Sequence, residues 1–253
     1  MAPRGFSATV KGFIPGAHID GLSLPKENGG IPVMERDLFR ELALGDITMY
    51  VSEMGMDDQI PEHHPDHDNF IVDRPFLAHE YDLIFCGGGV SKTQTRAAYR
   101  DDNGEGSRLL FAQLTFAFNR LRQGGSLVIL LHKVESWKTV KILYALSQVA
   151  DLQAFKPPKC HGIKSSFYLV AKNVELTHEP GKQAVAYWRE IWRYLTFREC
   201  TDVSVPQDPL GEDPDELAAE IINFFGEEFL ELARPVWEVQ AKRLRIAAWM
   251  KDS

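Results

Sequence analysis

The chain is predicted to fold as an α/β protein, a mostly parallel sheet with crossover helices, on three observations. Short apolar segments alternate with helix-period segments from His18 to Ala171, the order that builds parallel sheets. Ser126–Leu131 reads Ser-Leu-Val-Ile-Leu-Leu, too short for a helix and bounded by turn residues, which fits a strand covered on both faces. Upstream, Leu110, Leu114, Ala117 and Leu121 recur three and four residues apart, so one side of a helix is apolar, and Gly124-Gly125 is expected to stop it. The strand ends in His132-Lys133. An ionisable pair at the carboxyl end of a buried strand stands where open α/β sheets bind ligands; the alternative is a charged cap on a strand leaving the core.

The remaining elements follow in order. Phe6 to about Gly12 is expected to be helical, and Ala17–Leu24 a strand ended by Pro25. Val33–Leu44 reads as a helix, with Val33, Met34, Leu38 and Leu42 on one side. Gly45-Asp46 leads into Ile47–Val51, read as a short strand. Residues 52–75 are polar and carry Glu62-His63-His64-Pro65-Asp66-His67-Asp68. Imidazole and carboxylate are standard metal ligands, but prolines and the lack of an HExxH spacing favour a solvated loop over a metal centre or a metal-dependent hydrolase. Tyr81–Cys86 reads as a buried strand opening into Gly87-Gly88-Gly89, where a ligand or another backbone can approach closely. Ser91–Arg100 is expected to be a short helix, Val134–Ala150 a longer one, and Leu152–Phe155 and Ser166–Ala171 a final hairpin-like pair of strands. Lys156–Lys164 between them is a basic loop. Gln183–Phe197 is an amphipathic helix, Pro206–Pro214 an acidic linker, and helices run on to Phe225 and from Glu227 to Met250 with a start or kink at Pro235.

Composition narrows the class. With 253 residues and 44% hydrophobic content the chain can bury a sizeable core. Cys86, Cys160 and Cys200 have no CxxC spacing, so neither a disulfide framework nor a cysteine zinc site is indicated. No apolar run reaches the roughly 18 residues that span a bilayer, and an intracellular protein, cytoplasmic or nuclear, is expected. The net charge of −8 is unevenly spread. Met1–Ser107 carries 9 basic and 18 acidic residues, Arg108–Cys200 14 and 6, and Thr201–Ser253 5 and 12. A positive middle can meet phosphates in an acidic protein, because steering depends on the local field; ordinary solvated Lys and Arg are the alternative.

The order of these pieces resembles the FtsJ-like, S-adenosylmethionine-dependent RNA ribose 2′-O-methyltransferases, particularly a divergent fungal branch, over Ala2 to about Asn173. Ala2-Pro3-Arg4-Gly5-Phe6-Ser7 is similar to that family's cofactor loop, Ala-Pro-Gly-Gly-Phe/Trp-Ser. Tyr81–Gly88 resembles its apolar run ending Cys/Ser-Asp-Gly. The helix, Gly124-Gly125, Ser126–Lys133, Phe155-Lys156-Pro157 and Ser165–Val170 follow in family order. The resemblance implies a Rossmann-like class I methyltransferase sheet flanked by helices over residues 1–176, with a helical extension over 177–253. It also implies that the family's first strand is missing, as in a chain truncated at the cofactor loop or in a degraded relative.

It implies a site as well. Pro3, Gly5, Phe6, Ser7 and Gly87 would line a cleft for S-adenosylmethionine, with Asp46 on its adenine or ribose side or, alternatively, stabilising a turn. Of the family's Lys-Asp-Lys-Glu set, Gly87 stands at the aspartate and Ser166 at the glutamate, while Lys133 lies three residues beyond the second lysine's usual place. Lys133, if partly buried, or His132 would then be the base. Lys156, Lys159 and Lys164, with Lys133, would contact RNA phosphates. The alternative is a catalytically inactive methyltransferase-like module that binds RNA or a partner protein, the latter through the C-terminal helices.

Overall fold

The computed structural model describes residues 5–56, 60–90, 104–159, 161–208 and 214–247. Pro3 and the expected helix at Ser91–Arg100 lie outside the described residues. The fold is mixed α/β with two sheets. It divides into two compact units, Met1–Glu80 with Phe85–Arg120 and Val185–Pro206, and Tyr81–Ile84 with Leu121–Ala184 and Gln207–Ser253.

In the first unit, helix α1 (Gly5–Phe13) precedes a two-stranded parallel sheet of β1 (Asp20–Ser23) and β2 (Glu41–Leu44), with Asp20 opposite Glu41. The helix expected over Val33–Leu44 is therefore replaced by a short 3-10 turn (Arg36–Leu38) and a strand. A long-range anchor overrides the local period: the Asp20 carboxylate accepts from the Arg40 Nε at 3.1 Å and from the Glu41 backbone N–H at 3.0 Å. The strand expected at Ile47–Val51 is likewise a pair of 3-10 turns (Ile47–Met49, Val51–Met54). Asp46 starts the first by accepting from the Thr48 N–H at 3.0 Å, the Asx chemistry that competes with extended structure. Only Tyr50 keeps a strand-like contact, a bridge to Ile71.

These turns pack Tyr50, Val51, Met54 and Met56 against Ala112 and Phe116 of α2 (Glu105–Phe118) and Trp192 and Phe197 of α4 (Glu179–Phe197). Fully burying one such side chain is worth roughly 1.5–3 kcal/mol. Two arginines sit inside this unit, each matched. The Glu53 side chain, 0% exposed, accepts from Arg120 at 3.0 Å, Asn119 at 3.0 Å and Arg74 at 3.2 Å. Arg108 donates to Thr196 Oγ1 at 2.9 Å, the Thr48 carbonyl at 3.1 Å and Glu105 at 3.3 Å. Helix α2 ends at Phe118, several residues before Gly124-Gly125, with the next two side chains, Asn119 and Arg120, both bonded to Glu53.

The second unit holds the sheet β3-β4-β6-β5, where β3 is Tyr81–Cys86, with Tyr81–Ile84 in this unit, β4 is Leu121–His132, β5 is Asp151–Phe155 and β6 is Ser166–Lys172. β6 runs antiparallel to both neighbours, with His132 opposite Ser166 and Phe155 opposite Tyr168. The expected hairpin-like pair is thus present; β4 and β5, each antiparallel to β6, run in the same direction, and β1 and β2 pair in parallel. Gly124 and Gly125 lie inside β4 rather than at a helix stop. Gly124 takes the left-handed φ of 76° that glycine accommodates, and the two exchange backbone hydrogen bonds with Val174 at 2.9 and 3.0 Å.

Leu127, Ile129 and Leu131 of β4 are buried with Phe167, Leu169 and Ala171 opposite them on β6, while the alternate residues Val128 and Leu130 are half-buried. The strand is therefore fully covered on one face and partly on the other. Helices α3 (Trp137–Ser147) and α5 (Pro214–Arg245) pack against β5 and each other. Phe225 lies 5.7 Å from the Tyr144 ring, and Tyr144 donates to Glu220 at 3.1 Å. α5 is one helix that continues through Pro235.

Candidate functional site

The residues singled out by sequence divide between the units. In the first, Gly5, Phe6 and Ser7 form the opening turn of α1, a helix that buries none of its residues. Its anchor is the Phe6 ring, stacked on Phe85 at 4.4 Å. A Cβ built on Gly5 would meet nothing within 4 Å, so the space beside that backbone is open among the described residues. Asp46 acts as the turn residue described above and also accepts from Thr48 Oγ1 at 2.8 Å. Gly87 has no side chain to offer as base or acceptor. The next residue is held instead by Gln113, which accepts from the Gly88 N–H at 2.8 Å and donates to the Gly88 carbonyl at 3.2 Å. Burial pushes the Cys86 thiol up to about 12, so this cysteine is a packing residue and not a nucleophile.

In the second unit the carboxyl end of β4 and the amino end of β6 bring His132, Lys133, His161, Ser166 and the basic loop together. His132 stands at the surface, and its carbonyl accepts from Thr139 Oγ1 at 2.9 Å. Partial loss of water around the ring, followed by the charges of His161, Lys138, Lys156 and Lys164, lowers its pKa below the usual histidine value. The shift favours the neutral ring, which is able to accept a proton. Lys133 takes a left-handed φ of 50° and donates its backbone N–H to the Ser165 carbonyl at 3.0 Å. Its side chain is exposed, without the partial burial expected of a lysine base.

Lys156, expected on the surface, is 3% exposed. Its ammonium donates to the Lys164 carbonyl at 2.6 Å and the Ser166 carbonyl at 2.7 Å, and burial lowers its pKa. It fastens the loop to β6 and presents no charge to a partner. Lys159 and Lys164 are exposed on the same loop. Ser166 is buried, its hydroxyl 3.3 Å from His161 Nδ1. Sequence reading gave His161 no role; the available signal was the absence of any Asp or Glu from Leu152 to Val174, which leaves every charge on the loop positive.

The Glu62–Asp68 segment is held by hydrogen bonds. His64, 3% exposed, donates Nε2–H to the Thr196 carbonyl at 3.0 Å and accepts from the Asp66 N–H at 3.0 Å, which fixes its neutral tautomer. His63 Nε2 is 2.6 Å from the Cys200 carbonyl, and no trio of metal-ligating side chains is found among the described residues.

No known protein-family model matches the chain, and no curated protein does. Among solved structures it is similar to "Alphavirus P23pro-zbd", at 14% identity and a TM-score of 0.34, over 88% of this chain and 34% of that one. The chain thus spans about a third of that structure's length, and a likeness of this size does not assign a fold. No described helix is long and apolar enough to cross a membrane.

Proposed function

We propose that the chain is an S-adenosylmethionine-dependent methyltransferase of the FtsJ-like type, acting on an RNA ribose 2′-hydroxyl. The observation that carries the reading is strand order. A doubly wound nucleotide-binding sheet runs 3-2-1-4-5-6; without strand 1 it leaves a parallel pair and a separate run. This chain has the parallel pair β2-β1 and the separate run β3-β4-β6-β5, with antiparallel β6 inserted before the last strand. The ordered motifs from Pro3 to Val170 support the same reading.

Pro3, Gly5, Phe6, Ser7, Asp46 and Gly87 would hold the cofactor, Gly5 through its open backbone and Phe6 by fixing the turn on Phe85. The bound cofactor supplies an electrophilic methyl group on a sulfonium. His132 of the second unit is the base candidate: partial loss of water around its ring, and then the neighbouring cations, lower its pKa, which suits it to take a hydroxyl proton. Lys159 and Lys164 contact phosphates, and Lys133 stands beside them.

Calorimetric titration of S-adenosylmethionine into the purified chain, with S-adenosylhomocysteine as comparison, tests the cofactor; saturable micromolar binding is expected. With RNA as acceptor, His132→Ala should slow methyl transfer by roughly 10²–10⁴-fold, the usual cost of losing a base. The rate should rise with pH along a limb lying below the ordinary histidine value. A limb fixed in position by His132→Ala, or an unchanged rate, refutes the assignment.

One set of observations favours a second reading, the inactive binding module. Gly87 offers no side chain, the Ser166 hydroxyl is buried against His161, and the Lys156 ammonium is bonded to two carbonyls. Cofactor binding without methyl transfer to any RNA would establish it.

A further inference from the structure

The second unit pairs only some of its cations. Lys141 is paired with Asp208, Arg122 with Asp82 and Lys182 with Glu179. In contrast, no carboxylate among the described residues pairs with Lys133, Lys159, Lys164 or Arg243.

Lys133, the 161–164 turn and Arg243 are linked by contact, and Lys159 lies on the same loop. The Lys133 N–H bonds the Ser165 carbonyl at 3.0 Å, next to Lys164, and the Lys164 N–H bonds the His161 carbonyl at 3.1 Å. Gly162 follows His161 and is buried; a Cβ built on it would lie 2.5 Å from Cγ of Arg243 and 2.7 Å from the Pro158 carbonyl. The glycine is therefore the seat for the Arg243 stem, near the end of α5. The Arg243 Nε is buried and makes no hydrogen bond, so packing, not a carboxylate, holds this side chain in place. The buried ammonium of Lys156 ties the loop's carbonyls to β6, which keeps Lys159 and Lys164 facing out without competing for a ligand.

We infer that Lys133, Lys159, Lys164 and Arg243, with His132 and His161 between them, form one continuous strip that binds the phosphate backbone of single-stranded RNA, and that the C-terminal helix is a working part of it. Exposed cations on one loop and its neighbours, unneutralised by acids, match a chain of phosphates, whose binding releases counterions and depends steeply on salt. The choice of RNA over other polyanions rests on the proposed function; the geometry of the strip does not.

The test is fluorescence anisotropy of a labelled single-stranded RNA of mixed sequence, without cofactor, over a series of salt concentrations. Each phosphate contact contributes roughly 0.7 to the slope of log affinity against log salt, so Lys159→Glu with Lys164→Glu should lower that slope by at least roughly 1.4. Arg243→Glu should lower it further, while Arg243→Lys, which keeps the charge, should bind nearly as the parent does. Lys172→Glu, at the opposite end of β6, should leave it unchanged. Circular dichroism confirms that each variant is folded, and the exposed Lys159 and Lys164 carry the test should Arg243→Glu unfold. A parent that binds RNA with variants that bind equally well overturns the strip and leaves the RNA reading standing. A parent that binds no RNA overturns the strip as an RNA face. Cofactor calorimetry separates the two ideas: RNA binding without cofactor binding refutes the methyltransferase alone, and cofactor binding without RNA binding refutes the strip.

Discussion

Glu53 is the side chain on which the first unit most depends. It is wholly buried and meets two arginines and an asparagine. Removing one member of a buried ion pair leaves an uncompensated charge and costs roughly 3–5 kcal/mol, so Glu53→Ala should lower stability by that amount in urea unfolding. Burial alone would raise the Glu53 pKa, but the hydrogen bonds and charge of Arg120, with Asn119 and Arg74, outweigh it and hold the carboxyl below its ordinary value. The sign follows: its contribution is complete above the unfolded carboxyl's pKa and is lost as pH falls through the lower folded value, and Glu53→Gln should flatten the stability profile in that acid range. His132 acts at milder pH. Its folded pKa is also lowered, so the unfolded chain binds the proton more readily, and stability should decline as pH drops below about 6.5, the ordinary histidine value. His132→Ala should remove that decline.

Elements differ in how far local sequence determines them. Ser166–Ala171 and the helix ending at Phe197 were legible because apolar runs and helical periods there coincide with burial. Tyr81–Cys86 and Leu152–Phe155 are strands as expected, but only Cys86 and Ala154 in them are buried, so the first is not the buried strand its apolar run implies. Residues 33–51 were not legible. Val33–Leu44 has a helical period, yet Asp20 captures Arg40 and Glu41 and makes a strand, a partner twenty residues away that no local window contains. Ile47–Val51 is apolar and β-branched, yet Asp46 turns it. The site was half legible. The motifs marked its segments, but whether a lysine points outward, as Lys164 does, or inward, as Lys156 does, is decided by which carbonyls lie beneath it. Helix α5 carries its own test. Pro235 lacks an N–H and crowds the carbonyl four residues back, costing about 3 kcal/mol in a helix interior. Pro235→Ala should therefore raise the urea midpoint, by an amount reduced from that figure if neighbouring Ala233 and Val236, both buried, must shift.

For the whole molecule, the governing fact is that neither unit is continuous in sequence. The first needs Thr48, Arg108 and Trp192 together: the Trp192 indole N–H donates to the Thr48 carbonyl at 3.1 Å across 144 residues. Contacts this distant in sequence fold slowly, because loop closure comes before the reward. A chain ending at Lys182 should therefore lack a stable first unit, and limited proteolysis should cut its residues 20–120 much faster than those of the full chain. The same geometry sets a schedule for synthesis. While the ribosome is still making the segment before Trp192, the surfaces of Val51, Met54 and Phe116 have no indole to cover them. At roughly 5–20 residues per second, the nascent chain carries that sticky face for many seconds after Thr48 emerges, long enough to make it a natural client of chaperones.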